Sequence, residues 1–156
     1  MPDHKEVDAL HPFLIALNNC HEKFYGTPLI EQKIIPSAAA TFKNLYEAPY
    51  VLLSHELSDD PIFNFANLKG QNLWHMDWCT FTTTPSRKSA ELDERSERKK
   101  LLDDVLKNGF TDSYNGIRMD SLGQRFTIQN VRVWNVIDEN TILGQAACFD
   151  RWSVIR

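Results

Sequence analysis

Residues 61–74 read PIFNFANLKGQNLW. The run Ile62 to Ala66 (IFNFA) is short, apolar and rich in strand formers. Asn67 follows as a helix N-cap, and Leu68 to Trp74 form the short helix it opens. Upstream, Tyr50 to His55 (YVLLSH) is another strand, and the polar stretch Glu56 to Pro61 lies between the two. They therefore form a hairpin with a loop of about five residues, which delivers the chain directly into a helix.

Further downstream, Asp77 to Ser89 (DWCTFTTTPSRKS) reads as turns or single helical turns. Glu91 to Asn108 is a long helix with Leu92, Arg95, Lys99, Leu102, Val105 and Leu106 on one face, capped by Gly109. Its basic cluster Arg95, Arg98, Lys99 and Lys100 alternates with Asp93, Glu94 and Glu97, the pattern of a solvated face. Phe110 to Met119 is a strand, Asp120 to Gly123 a hairpin turn, and Gln124 to Val136 a long strand. That strand alternates through Phe126, Ile128, Asn130 or Val131, and Val133. A turn at Asp138 to Asn140 leads into a final strand, Ile142 to Trp152.

At the other end, Pro12 is placed to open a helix with Phe13, Leu14, Leu17, Cys20, His21 and Phe24 on one apolar face, stopped at Gly26. A second helix runs from Ser37, an N-cap after Pro36, to Tyr46, and Ala48-Pro49 ends it. The apolar stripe of the first helix suits either a seam between two copies of the chain or packing onto the chain's own sheet. Two antiparallel hairpins with helices inserted between them define an α+β fold.

The chain has 156 residues, with 17 Lys and Arg against 21 Asp and Glu, a net charge of −4. With 42% hydrophobic and 24% charged residues it has a folded protein's composition, and one domain's worth of chain. Mild acidity argues against nucleic-acid binding, which calls for a basic face. The cysteines Cys20, Cys79 and Cys148 form no CxxC pair, which fits a reducing compartment and no zinc site. No apolar run has the length of a signal peptide or a membrane span, so a cytoplasmic protein without membrane attachment is expected.

The order of elements, with its punctuation, resembles the PAS fold: Asn67 after the first hairpin, MDSLGQRFTIQNVRVWNV with its D-x-x-G turn, and Gly144 to Asp150 in the last strand. More narrowly, LYEAPYVLLSHELSDDPIFNFAN, MDW, PSRKSAE and GQAACFDRW are similar to the MEKHLA domain family, over roughly residues 45–152. That PAS-like family occurs alone in microbes and at the C-terminus of plant class-three homeodomain–leucine zipper regulators. The hexapeptide that names it is absent here, as are a homeodomain and a zipper. The resemblance implies a five-stranded antiparallel sheet, order 2-1-5-4-3, with helices on one face, a small pocket beneath them, and an N-terminal helical extension. Residues 1–44 would be the extension and 45–156 the PAS-like domain. It implies no established reaction.

Flavin photosensors of this fold place a reactive cysteine just before the long helix, where this chain has TTTPSRKSAEL. Cys79 lies several residues too early, and the glutamine such sensors use on the last strand would fall near Cys148. Haem sensors of the oxygen type take a histidine from the long helix, where there is none, so His55 and His75 read as structural. No cofactor or metal is therefore expected. No GxSxG, HExxH, Walker or GxGxxG pattern occurs, and no catalytic residue is assigned.

The resemblance places TTTPSRKSAE at the pocket mouth. Arg87, with Ser86 and Ser89, is the candidate fork for an anion, and Phe126, Trp134, Phe65, Trp74 and Cys148 are candidate walls. The plainer readings are that the aromatic side chains are core and that Arg87 pairs internally with Asp77 or Glu91. The expected protein is a non-enzymatic sensory or interaction domain for a small anionic or aromatic metabolite, working as a homodimer. Its alternatives are a small cofactor-independent enzyme using His55 with a neighbouring acid, and a dimerisation module with a filled core.

Overall fold

The computed structural model describes residues 1–31 and 37–156; Pro36 lies outside them. Helix α1 spans His4–Tyr25, and α2 spans Ala38–Tyr46 with Ser37 as its N-cap. The first hairpin is β1 (Val51–Glu56) and β2 (Phe63–Ala66). Helices α3 (Leu68–Trp74) and α4 (Trp78–Phe81), a 3-10 turn at Ser86–Ser89 and helix α5 (Leu92–Asn108) follow. Strands β3 (Phe110–Met119), β4 (Arg125–Asp138), β5 (Thr141–Phe149) and β6 (Arg151–Val154) complete the chain. Among the described residues, no helix is long and apolar enough to cross a membrane.

The sheet order is β2-β1-β5-β4-β3, all antiparallel, the order that the resemblance implies. The last strand is interrupted at Asp150, and its second half, β6, pairs with the first half of β4. Arg132 faces Cys148 and Gln129 faces Arg151, so both halves keep one register with β4. The break lies beside Asn130, whose φ of 52° is left-handed. Asparagine tolerates that region better than most residues. Its N–H donates to Asn115 Oδ1 at 2.9 Å and its Oδ1 accepts from Ser113 Oγ at 3.0 Å, which fixes the kink.

Both faces of the sheet are covered. Helices α3, α4 and α5 lie over one face, where Val51, Leu53, Trp74, Phe126, Ile128 and Val133 form a core. The N-terminal helices cover the other, where Leu14, Leu17, Leu45, Leu52, Phe65 and Trp134 form a second core. The apolar stripe of α1 is thus spent within the chain: Leu14 and Leu17 are fully buried, and Trp134 Nε1–H donates to the Leu17 carbonyl at 3.1 Å. Pro12 does not open α1. Asp3 caps it through the Glu6 N–H at 2.9 Å, and Pro12 lies inside, where the Asp8 carbonyl loses its usual helical donor.

Asn67 ties three elements together from a fully buried position. Its Oδ1 accepts from the N–H of Leu52 in β1 at 3.0 Å and of Gly70 in α3 at 3.1 Å. Its Nδ2 donates to the Tyr50 carbonyl at 2.7 Å and to the Leu45 carbonyl of α2 at 3.4 Å. Helix α3 sits so close to β1 that a Cβ at Gly70 would lie 2.8 Å from the Leu53 side chain. The β3–β4 turn is held similarly, by Asp120 Oδ1 accepting from Leu122 and Gln124 at 2.9 Å each, with Gly123 at φ 83°.

Asn67→Ala strands two buried N–H groups and the carbonyls of Leu45 and Tyr50, and should lower unfolding free energy by about 3 kcal/mol. Asn67→Asp keeps the acceptors but aims a carboxylate at the Tyr50 carbonyl, and should do no better. Urea unfolding with an unchanged slope and a lower midpoint for both variants is the expected result.

Candidate functional site

Between the sheet and α5 lies a cavity of about 60 Å³. Its floor comes from alternate residues of neighbouring strands: Leu53 and His55 on β1, Ile128, Val131 and Val133 on β4, and Gln145, Ala147 and Phe149 on β5. Trp74, Ser89, Arg98, Leu101 and Leu102 form the roof, and Tyr114 and Arg118 of β3 close one side.

The polar members differ in what they lack. Gln145 Nε2 donates to the Leu102 carbonyl at 3.0 Å and to Asn135 Oδ1 at 3.2 Å. Ser89 Oγ donates to the Ser86 carbonyl at 2.8 Å, and Trp74 Nε1 donates to the Ser89 carbonyl at 3.4 Å. The arginines are another matter. Arg98 is 8% exposed and Arg118 7%, yet among the described residues neither guanidinium has a carboxylate within ion-pair reach. Arg98 Nη2 donates to Ser86 Oγ at 2.6 Å. Arg118 Nη1 donates to the Ile117 carbonyl at 2.8 Å, and both of its terminal nitrogens reach the Tyr114 hydroxyl at 3.4 Å. Burial first, and the neighbouring Arg118 charge second, lower the pKa of Arg98 to about 10.

His55 is 6% exposed. Its Nδ1 lies 2.8 Å from the Glu56 carbonyl, which can only accept, so Nδ1 carries the proton and Nε2 is a bare lone pair. That Nε2 is buried and has no hydrogen-bond partner. His21, on the opposite side of the sheet, shows the satisfied alternative: Nδ1–H to the Thr27 carbonyl at 2.6 Å, and Nε2 accepting from Arg132 at 3.1 Å. Burial holds the His55 pKa down at about 4, with the Arg98 charge a lesser contribution in the same direction. A shift that large marks a functional candidate, but the imidazole's partner is a backbone carbonyl. Asp60 is engaged with Arg87 at 3.0 Å, so the acid partner of the enzyme alternative is not assembled.

Of the residues expected from sequence, Trp74 and Ser89 line the cavity. Ser86 sits behind it and holds Arg98 in place. Phe126 lies one layer down, its ring 5.1 Å from that of Trp74. Arg87 points outward to Asp60; that is an internal pair, although with a different acid from Asp77 or Glu91. Trp134, Phe65 and Cys148 belong to the core on the opposite face. The β3–β4 pairing is irregular around Tyr114 and Val131, beside Asn130, and the β1–β2 register shifts between Ser54 and His55; side-chain parity changes over at both places. Cys148 is one residue out of phase with Gln145, Ala147 and Phe149, so the last strand's glutamine in the cavity is Gln145.

Arg98 and Arg118 are the site residues that sequence reading missed, and His55 is named there only for the enzyme alternative. Arg98 was assigned to a solvated face, but α5 turns Arg98, Leu101, Leu102 and Val105 inward, while Leu92 is 75% exposed. The spacing of Arg98 from Leu101, Leu102 and Val105, three, four and seven residues, was the available signal.

The flavin and haem used elsewhere in this fold do not fit here. Among the described residues, no cysteine lines the cavity, and about 60 Å³ is too little for a three-ring flavin or a porphyrin. Among the described residues, no cluster of three or more His, Cys, Asp or Glu side chains is arranged to hold a metal ion.

The depressed His55 pKa has a definite sign. The unfolded chain takes up a proton near pH 6.5 and the folded chain only near pH 4, so this contribution is complete above 6.5 and is lost as pH falls toward 4. It amounts to about 3 kcal/mol at the lower limit. His21 is shifted in the same direction by burial, so the contrast to measure is between wild type and His55→Phe. Urea unfolding from pH 7.5 to pH 4.5 should show a shallower loss in the variant.

Three solved structures share the architecture. The PAS domain of a protein from Colwellia psychrerythraea superposes with a TM-score of 0.62 at 12% identity, over 75% of this chain and 95% of that one. An RNA-binding light-oxygen-voltage receptor gives 0.63 at 12% identity, over 79% of this chain but 36% of the receptor. A light-oxygen-voltage domain studied with a flavin analogue gives 0.59 at 12% identity, over 75% of this chain and 85% of that one. At such identities the likeness is one of fold, and the fold is PAS-like. No curated protein matches the chain. The MEKHLA domain matches residues 12–154, nearly the whole length and including most of α1, and the chain belongs to the MEKHLA domain family.

Proposed function

We propose that this domain is a non-enzymatic sensory or regulatory module that binds a small molecule in the cavity between the sheet and α5. The observation that carries this reading is the unmet polar demand of the cavity. Two buried arginines face it without acidic partners, and a buried imidazole nitrogen faces it without a donor. A buried polar atom left without a partner costs about 1–3 kcal/mol, and more if charged. A space that only had to be filled with core would hold apolar side chains instead. Sensing follows from position: the cavity touches α5, β3 and both central strands, so an occupant stabilises the packing of the roof on the floor.

The test is ligand-dependent stability of the whole chain against a panel of small neutral, cationic and anionic organic molecules. One class should raise the melting temperature saturably, by the equivalent of about 2.7 kcal/mol at a hundred times its dissociation constant. Ala147→Leu, which fills the floor, should abolish that response while the variant stays folded. If no class stabilises the wild type, the domain is an interaction module with a polar core.

A further inference from the structure

We propose that the cavity takes a small 2-hydroxy monocarboxylate, its carboxylate held between Arg98 and Arg118 and its hydroxyl donating to Nε2 of His55. This rests on the cavity being a small-molecule site, and it follows from what each side chain still needs.

Charge comes first. Arg98 and Arg118 line one cavity, and each guanidinium is more than nine-tenths buried. Their charges repel each other, and the nearest acid to influence Arg98, Asp60, is already bound to Arg87. An anion between the two forks supplies the missing partner, and a carboxylate matches their planar geometry.

The donor requirement is separate. The bare Nε2 of His55 needs a donor; the bonds of Arg98 and Arg118 go to Ser86, Ile117 and Tyr114 and leave it unpaired, and a carboxylate can only accept. The ligand must carry its own O–H or N–H. An ammonium group would add a third positive charge beside two guanidiniums, and an amide beside a carboxylate needs more atoms than the cavity holds, which leaves a hydroxyl. Of the remaining polar groups, Gln145, Ser89, Ser54 and the Trp74 indole donate to the protein, and the Tyr114 hydroxyl, which accepts from Arg118, has its own hydrogen to give to the ligand's carboxylate. The other walls are apolar, with Leu102, Ile128 and Val133 among them, and offer no seat for a second charged group.

Size agrees. At about one water-sized sphere per 10–15 Å³, a cavity of about 60 Å³ holds about five non-hydrogen atoms, the size of glycolate.

Calorimetry of the whole chain with glycolate, acetate, glycine and inorganic phosphate tests this directly. Glycolate should bind about tenfold tighter than acetate, the worth of one hydrogen bond, and glycine and phosphate should not compete. His55→Phe should erase the glycolate preference and leave acetate binding in place. Arg118→Met, and the milder Arg118→Lys, should weaken both acids by at least about tenfold. Equal affinity for glycolate and acetate in the wild type overturns the hydroxyl assignment, and tighter binding of phosphate overturns the carboxylate. A neutral or cationic molecule that binds and is blocked by Ala147→Leu overturns the hydroxy acid but leaves the small-molecule reading standing. Failure of every class overturns both.

Discussion

The structure depends on side-chain parity in a sheet that is buried on both faces. Successive residues of a strand point to opposite sides, so a shift of one residue moves a side chain from one core to the other. Here two slips set that parity. At Asn130 the backbone enters the left-handed region, and the β4 residues on the α5 side change from Phe126 and Ile128 to Val131 and Val133. Between Ser54 and His55 the register against β2 moves by one, so that Phe63 faces the cavity and Phe65 the N-terminal helices. Without these slips Trp134 would stand where Val133 does, and a large indole would occupy the space that the cavity uses.

The two faces meet their polar burial differently. On the N-terminal side the hydrogen bonds around His21 close locally: His21 has a partner at each ring nitrogen, and Arg132 reaches both His21 and the Tyr25 ring, at 5.0 Å. On the α5 side, the network around Gln145, Asn135 and Ser89 also closes, but it stops at Arg98, Arg118 and His55. Buried polar groups in folded proteins are almost always satisfied. Among the described residues His11 Nδ1 and Thr41 Oγ1 also lack partners, on the N-terminal helices; what sets the cavity apart is that its bare imidazole nitrogen lies with two buried arginines that have no acid. The apolar surroundings strengthen any charge-assisted bond formed there.

Much of the architecture was legible because it is written in short-range chemistry. Asn67 before Leu68, Ser37 before Ala38, Gly109 after Asn108 and the Asp120–Gly123 turn each satisfy backbone groups within a few residues, so their roles can be read locally. Pro12 misled for the same reason: a proline in isolation reads as a helix start, and only the Asp3 cap together with Val7, buried in the N-terminal core, shows the helix running through it.

By itself the sequence determined the α+β class and most helix ends, because these follow from periodicity, caps and turns, while the family and the sheet order came from its resemblance to the MEKHLA domain and the PAS fold. Only the tertiary structure decided which residues share the cavity. Arg98 reads as surface charge and Arg118, twenty residues on in a strand, carries no local signal, while Arg87 reads as a ligand fork until Asp60 is seen beside it. The decisive quantities were the rotation of α5 about its axis and the two changes of parity in the sheet. Those are set by how layers pack on one another, which local patterns along a single chain do not encode.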